Sequence, residues 1–205
     1  MLFIIAFVFA CAIFAAYERG KENERGEESF DWENLEYKSL QDGKNFAKSG
    51  NFQEAINKFS EYIKRDNKNP YAFIYRSLTY NQLEDYEKAM SDVYSALSLN
   101  KSIAEVYSTK ALIEWSKGNL QSALVDYDKA ISIEPNNAID VMNRGQVKRD
   151  LGDLDGAIED TKKSLEIDPN NSIASGILIL CQGMKSMPKS YEIYLEKNRN
   201  KLKSQ

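Results

Sequence analysis

The chain contains no histidine among its 205 residues. That removes the side chain most often used as a general base near neutral pH and the commonest zinc ligand. Its two cysteines, Cys11 and Cys181, are far apart in unlike settings, which gives neither a disulfide framework nor a metal-ligand spacing. An excess of positive charge is also missing: 27 Lys and Arg stand against 31 Asp and Glu, a formal net charge of −4, so nucleic acid is not the default partner. There is no glycine-rich phosphate loop, and without histidine no Ser/His/Asp set can be drawn. We expect no catalysis, no cofactor and no metal.

What is present begins with an unbroken apolar run, residues 2–17, LFIIAFVFACAIFAAY. As a helix it reaches about 24 Å at ~1.5 Å per residue, a little short of a ~30 Å hydrocarbon core. Met1 and the stem of Arg19 extend it by snorkelling. The preferred reading is a single membrane-spanning anchor. A cleaved signal peptide ending near Ala15 and Ala16 is the alternative, but no Lys or Arg precedes the run as such a peptide wants. A lipoprotein signal is the third reading, since Val8-Phe9-Ala10-Cys11 loosely resembles a lipobox. Arg19, Lys21 and Arg25 follow the run, which places the remainder on the cytoplasmic side by the positive-inside rule. Residues 18–35 are an acidic linker, with seven carboxylates against three basic residues, too polar to order themselves.

The centre of the chain is periodic. Ala55, Ala89, Ala123 and Ala157 recur every 34 residues without insertion. In the same phase run the small residues Gly43, Ser77, Ala111 and Gly145, the large apolar Phe52, Tyr86, Leu120 and Leu154, and the aliphatic Ile63, Leu97, Ile131 and Leu165. A fixed period of this length marks a repeat architecture in which each unit buries its apolar face only against its neighbours. Four units fill 36–69, 70–103, 104–137 and 138–171. Their apolar spacing predicts helix pairs at 37–49 with 53–66, 71–82 with 86–99, 104–116 with 120–133, and 138–150 with 154–167.

The unit resembles the tetratricopeptide repeat (TPR), as Tyr107, Ala111, Gly118, Ala123, Tyr127, Ala130 and Pro135 of the third unit and Gly145, Gly152, Ala157 and Pro169 of the fourth illustrate. It departs from that pattern at Glu84, where glycine is expected, at Asn67 and Lys101, where proline is expected, and at Tyr62, where a small residue is usual. The resemblance implies an all-α, right-handed superhelical solenoid of four TPR helix pairs. C-terminal capping helices would follow it, and a single hydrophobic N-terminal helix would precede it. It also implies function as a scaffold that holds a protein partner, an extended peptide or a helix, in a concave groove. The groove places fall on Tyr37, Leu40, Lys44 and Lys48, on Tyr71, Ile74, Thr79 and Asn81, on Glu105, Ser108, Leu112 and Trp115, and on Ile139, Met142, Gln146 and Arg149. Trp115 and Tyr71 are the expected anchors, since desolvated aromatics dominate binding energy.

A TPR subgroup grips the C-terminal carboxylate of chaperones with Lys, Asn, Asn, Lys and Arg at set places. Here those places hold Leu40, Lys44, Tyr75, Glu105 and Thr109, or one unit later Ile74, Thr79, Thr109, Ile139 and Asn143. The clamp is absent, so a chaperone tail is not the expected partner.

One pattern lies outside the apolar frame. The seventh and twenty-third places of each unit carry opposite charges, which predicts the ion pairs Asp42–Lys58, Arg76–Asp92, Lys110–Asp126 and Arg144–Asp160 between the two helices of each unit. Residues 172–205 break the register. They read as capping helices, the first with Ile173, Ile177, Leu178, Leu180 and Cys181, the last after Pro188 with Tyr191, Tyr194, Leu195 and Leu202, ending in a basic tail. The reading as a whole is a membrane-anchored, non-catalytic adaptor. The alternatives are a fixed structural or assembly subunit of a larger membrane complex, or an exported envelope repeat protein.

Overall fold

The computed structural model describes residues 33–187, with side chains from residue 38, and beyond them Ile193 and Glu196. The apolar run 2–17, most of the acidic linker, Tyr37 as a side chain, and the expected last helix after Pro188 lie outside the described residues. Among the described residues no helix is long and apolar enough to cross a membrane.

The described residues form helices without strands: α1 (Glu33–Lys48), α2 (Phe52–Arg65), α3 (Pro70–Gln82), α4 (Tyr86–Leu99), α5 (Ala104–Ser116), α6 (Leu120–Ile133), α7 (Ala138–Leu151), α8 (Leu154–Ile167) and α9 (Ser172–Ser186). They fall into two compact units that part between Lys101 and Ser102. In the first, α1 pairs with α2 and α3 with α4, and α2 packs on α3. In the second, α5 pairs with α6 and α7 with α8, α6 packs on α7, and α9 packs on α8. The helix boundaries agree with the spacing to within a residue, except that α1 starts four residues before Tyr37, the expected first residue.

Each hairpin is closed by the same turn. Residue pairs such as Gly118 N–H to Trp115 O and Asn119 N–H to Glu114 O, at 2.9 and 2.8 Å, satisfy the last carbonyls of the first helix. The motif needs one left-handed residue, supplied at φ +79° to +96° by Gly50, Gly118 and Gly152. Glu84 takes that place in the second hairpin at φ 60°, a region where a side chain costs about 1–2 kcal/mol. Five helix starts are capped by side chains: Asn69, Asp85, Asn137, Asp153 and Asn171 each accept from a backbone N–H two or three residues on, and Pro70 opens α3.

The small residues of the period mark where helices approach closely. A Cβ on Gly43 would meet the Phe59 ring at 2.6 Å, and one on Gly145 would meet the Ala157 carbonyl at 3.2 Å. Ser77 donates from Oγ to the Ala89 carbonyl at 2.8 Å. Beside these contacts sit the cores. Ala55, Phe59 and Tyr75 form one with Leu40, Phe46 and Tyr71 against it; Ala111, Ala123, Tyr127 and Val147 form the other with Trp115, Leu120, Leu124 and Leu151. Tyr62, out of pattern for the repeat, is buried and ties the end of α2 to the next turn. It donates to Asp66 Oδ2 at 3.2 Å and accepts from Asn69 Nδ2 at 2.9 Å.

Candidate partner-binding face and the polar seams behind it

The first helices of the hairpins, α1, α3, α5 and α7, carry the residues assigned to the groove. They divide by burial. In the first unit Leu40 and Tyr71 are half-buried and Lys48 is exposed, whereas Ile74, Thr79, Asn81 and Lys44 are buried. In the second, Glu105, Trp115, Ile139 and Arg149 are half-buried, whereas Ser108, Leu112, Met142 and Gln146 are buried. Ile74, Leu112, Met142 and Gln146 are 3%, 3%, 1% and 1% exposed and pack closely against their neighbours in this structure. The expected anchor Trp115 is held from two sides. Its ring lies against the core cluster of Ala111, Ala123, Tyr127 and Val147, and its Nε1–H donates to Asp150 Oδ2 at 2.9 Å. Asp150 in turn accepts from Arg149 Nε and Nη2 at 3.0 and 2.8 Å. In the first unit the Lys44 ammonium sits 4.9 Å from the centre of the Tyr75 ring, so two of the clamp places are engaged with each other.

The charged pairs lie between the helices of each hairpin. Arg76 donates from Nε and Nη2 to the two oxygens of Asp92 at 2.8 and 2.7 Å, and from Nη1 to Ser60 Oγ at 2.9 Å. Arg144 repeats the arrangement on Asp160 at 2.8 and 2.6 Å and reaches Asp128 at 2.7 Å. Each arginine thereby joins its own hairpin to the one before it, and the hydrogen bond to the aspartate raises the pKa of both guanidinium groups. Lys148 adds a second cation to Asp160 at 2.8 Å. Lys110 touches Asp126 through one oxygen only, at 2.9 Å, and the other oxygen has no partner. Burial outweighs that single contact, so the Asp126 carboxyl is pushed up. The first pair does not form. Lys58 bonds Glu61, one turn along its own helix, at 3.0 Å, and no ion pair joins it to Asp42. The local partner is nearer than one across the hairpin.

The spacing did not single out Asp140, and it named Asn143 only as a clamp place. Asp140 is 2% exposed and Asn143 fully buried. The signal was available: one repeat earlier the place of Asp140 is Val106, and two repeats earlier it is Ala72, both fully buried. A carboxyl therefore stands where the two preceding repeats bury an apolar side chain; in the first repeat the place is the exposed Lys38. Among the described residues no group of His, Cys, Asp and Glu could hold a metal ion.

Matches to family models described as "Tetratricopeptide repeat" cover residues 40–100, and 104–137 with 141–171. Together they take in more than half of the chain, which belongs to the tetratricopeptide repeat family. It is 26% identical over 112 residues to Hsp70-Hsp90 organizing protein 2 of Arabidopsis thaliana, across 55% of this chain and 19% of that protein. The chain thus spans about a fifth of that relative's length. Among solved structures it is similar to the first TPR of Spaghetti (RPAP3) bound to the HSP90 peptide SRMEEVD. There the identity is 26%, the TM-score 0.52, and coverage 57% of this chain and 93% of that one. PilF of Pseudomonas aeruginosa shares the fold at 15% identity and a TM-score of 0.67, over 80% of this chain and 77% of that one.

Proposed function

We propose that this chain is a non-catalytic TPR adaptor that holds a protein partner, an extended peptide or a helix, on the faces formed by the first helices of its TPR hairpins. One observation carries the reading: the peptide-bound TPR domain of Spaghetti is similar in fold and sequence over 57% of the chain. Its ligand is not carried over with the fold. At the clamp places stand Leu40, Tyr75, Glu105 and Thr109, and the one cation, Lys44, lies over the Tyr75 ring. A chaperone C-terminal tail is therefore excluded from the proposal. The contact residues are those left partly open, Leu40 and Tyr71 in one unit and Glu105, Ile139 and Arg149 in the other. Residues 2–17 anchor the adaptor in a membrane, residues 18–35 act as a spacer, and the repeats face the cytoplasm. Nucleic acid, metal and cofactor have no part in it.

The test is a pull-down of the full chain in mild detergent with identification of what it holds by mass spectrometry. Tyr71→Ala combined with Ile139→Glu should weaken the partner at least ~10-fold, a loss of about 1.4 kcal/mol, with circular dichroism unchanged. A partner that stays bound to the doubly substituted chain lies elsewhere on the molecule. A labelled SRMEEVD peptide should show no saturable binding; saturation would overturn the exclusion of chaperone tails.

A further inference from the structure

The seam between α6 and α7 encloses a group of polar side chains cut off from solvent. Asp140 is 2% exposed, and Tyr127 and Asn143 are not exposed at all. Asp140 Oδ2, Tyr127 Oη and Asn143 Nδ2 each have no hydrogen-bond partner among the described residues. The three are neighbours, since the Tyr127 hydroxyl feels both the charge of Asp140 and the amide of Asn143.

The surroundings of Asp140 are short of positive charge. From α5 come the Ser108 hydroxyl, which donates to the Ala104 carbonyl at 3.2 Å, and the negative charge of Glu105. From α6 come the Tyr127 hydroxyl and, at the C-cap, the negative charge of Glu134. On α7 itself Asn143 and Arg144 lie one turn on, and the Arg144 guanidinium is engaged by Asp160 and Asp128. From α8 the nearest polar group is Ser164, whose Oγ donates to the Ala138 carbonyl two residues before Asp140. Among the described residues no cation forms an ion pair with Asp140, while Glu105 and Glu134 both push its pKa upward. Asp92, Asp126 and Asp160 are buried to a similar degree, at 4%, 6% and 3% exposed, but each has a cation within 2.9 Å. Asp140 is the exception among the buried aspartates, and a buried carboxyl without a cation favours its neutral form.

We propose that Asp140 is a proton-operated latch: as a neutral acid it closes the seam between the third and fourth hairpins, and loss of its proton to solvent loosens that seam. Neutral, it brings a hydroxyl donor into a cluster holding an unpartnered phenol oxygen. Ionised, it leaves two acceptor oxygens and a full charge in the same closed space, facing Glu105 and Glu134. Burial first, then these two carboxylates, move its pKa from 3.8 to about 7. The folded state therefore holds a proton that the unfolded chain has released. Stability falls as the pH climbs from about 4 to about 7 and stays low above it. The inference is independent of which partner the repeats hold.

The experiment uses the full chain in detergent. The Asp140 carboxyl is followed by 13C NMR against pH, and a midpoint near 7 is expected, moved downward by Glu105→Gln and by Glu134→Gln. A midpoint in the ordinary carboxylate range, about 4, overturns the proposal. Thermal unfolding is compared for the wild type and Asp140→Asn. The variant should gain on the wild type steadily between pH 5 and pH 7 and the difference should level off above that, and a difference that does not change between pH 5 and pH 7 refutes proton linkage at this site. Protection of α6 and α7 amides against hydrogen exchange should drop across the same range in the wild type and hold in Asp140→Asn. Protection that does not change with pH in the wild type rules out a latch. The NMR midpoint is read on the unaltered side chain, so it decides the matter even if Asp140→Asn fails to fold.

Discussion

At the seventh place of a repeat, a guanidinium can hold both oxygens of one aspartate and still reach a third acceptor, which an ammonium does not do in the same geometry. Arg76 and Arg144 use all three contacts, and Lys110 makes one. A pair this well placed is not a large source of net stability, because both charges leave water; losing one partner is costly because the other is stranded. Arg144→Met is expected to lower stability by about 3 kcal/mol, read by urea denaturation, since Asp160 is buried and Lys148 alone remains to meet it. The alternation of sign was plain in the sequence, and it located the partners of Arg76, Lys110 and Arg144. It misplaced Lys58, because periodicity says which residues face each other and says nothing of a nearer carboxylate on the same helix. Asp140 escaped notice for the opposite reason. As an acid in the first turn of α7 it looked like an ordinary helix-start residue, and only its alignment with Ala72 and Val106 reveals a buried place.

The helical hairpin is the element that the sequence specifies most fully. Its turn, its caps and its close helix approach all rest on residue types that recur in phase, so the boundaries were legible to within a residue over most of the array. Glu84 is the informative departure. It adopts the left-handed backbone that the three other hairpins give to glycine, so the hydrogen bonds of the turn, Glu84 N–H to Asn81 O at 3.1 Å and Asp85 N–H to Tyr80 O at 3.0 Å, outweigh the local strain. Glu84→Gly is expected to relieve that strain and raise stability by about 1 kcal/mol, seen as a higher thermal midpoint. No change, or a loss, would show that the Glu84 side chain contributes a compensating contact. Groove membership was less legible than the hairpin itself. The place of a residue in the repeat gives its direction, but Ile74, Leu112, Met142 and Gln146 also depend on how closely the neighbouring helices pack, which no single position records.

For the molecule as a whole, the period of 34 residues carries the fold, and the proposed membrane anchor lies outside that period. The apolar run and the acidic spacer share no phase with the repeats, which supports treating the anchor and the binding array as separable. Deletion of residues 1–17 is expected to move the chain from the membrane pellet to the supernatant after alkaline extraction, with the unfolding midpoint of the repeats unchanged. A full-length chain that is extracted without detergent would remove the anchor from the proposal.

The bond from the Trp115 indole to Asp150 spans the α5–α7 contact, and the ring rests on the core cluster shared by the third and fourth hairpins. Its fluorescence is therefore a built-in gauge of whether that junction is shut: the emission colour and intensity follow the water reaching one indole. With Trp32 replaced by phenylalanine, a plain fluorimeter would watch this junction open without any added dye.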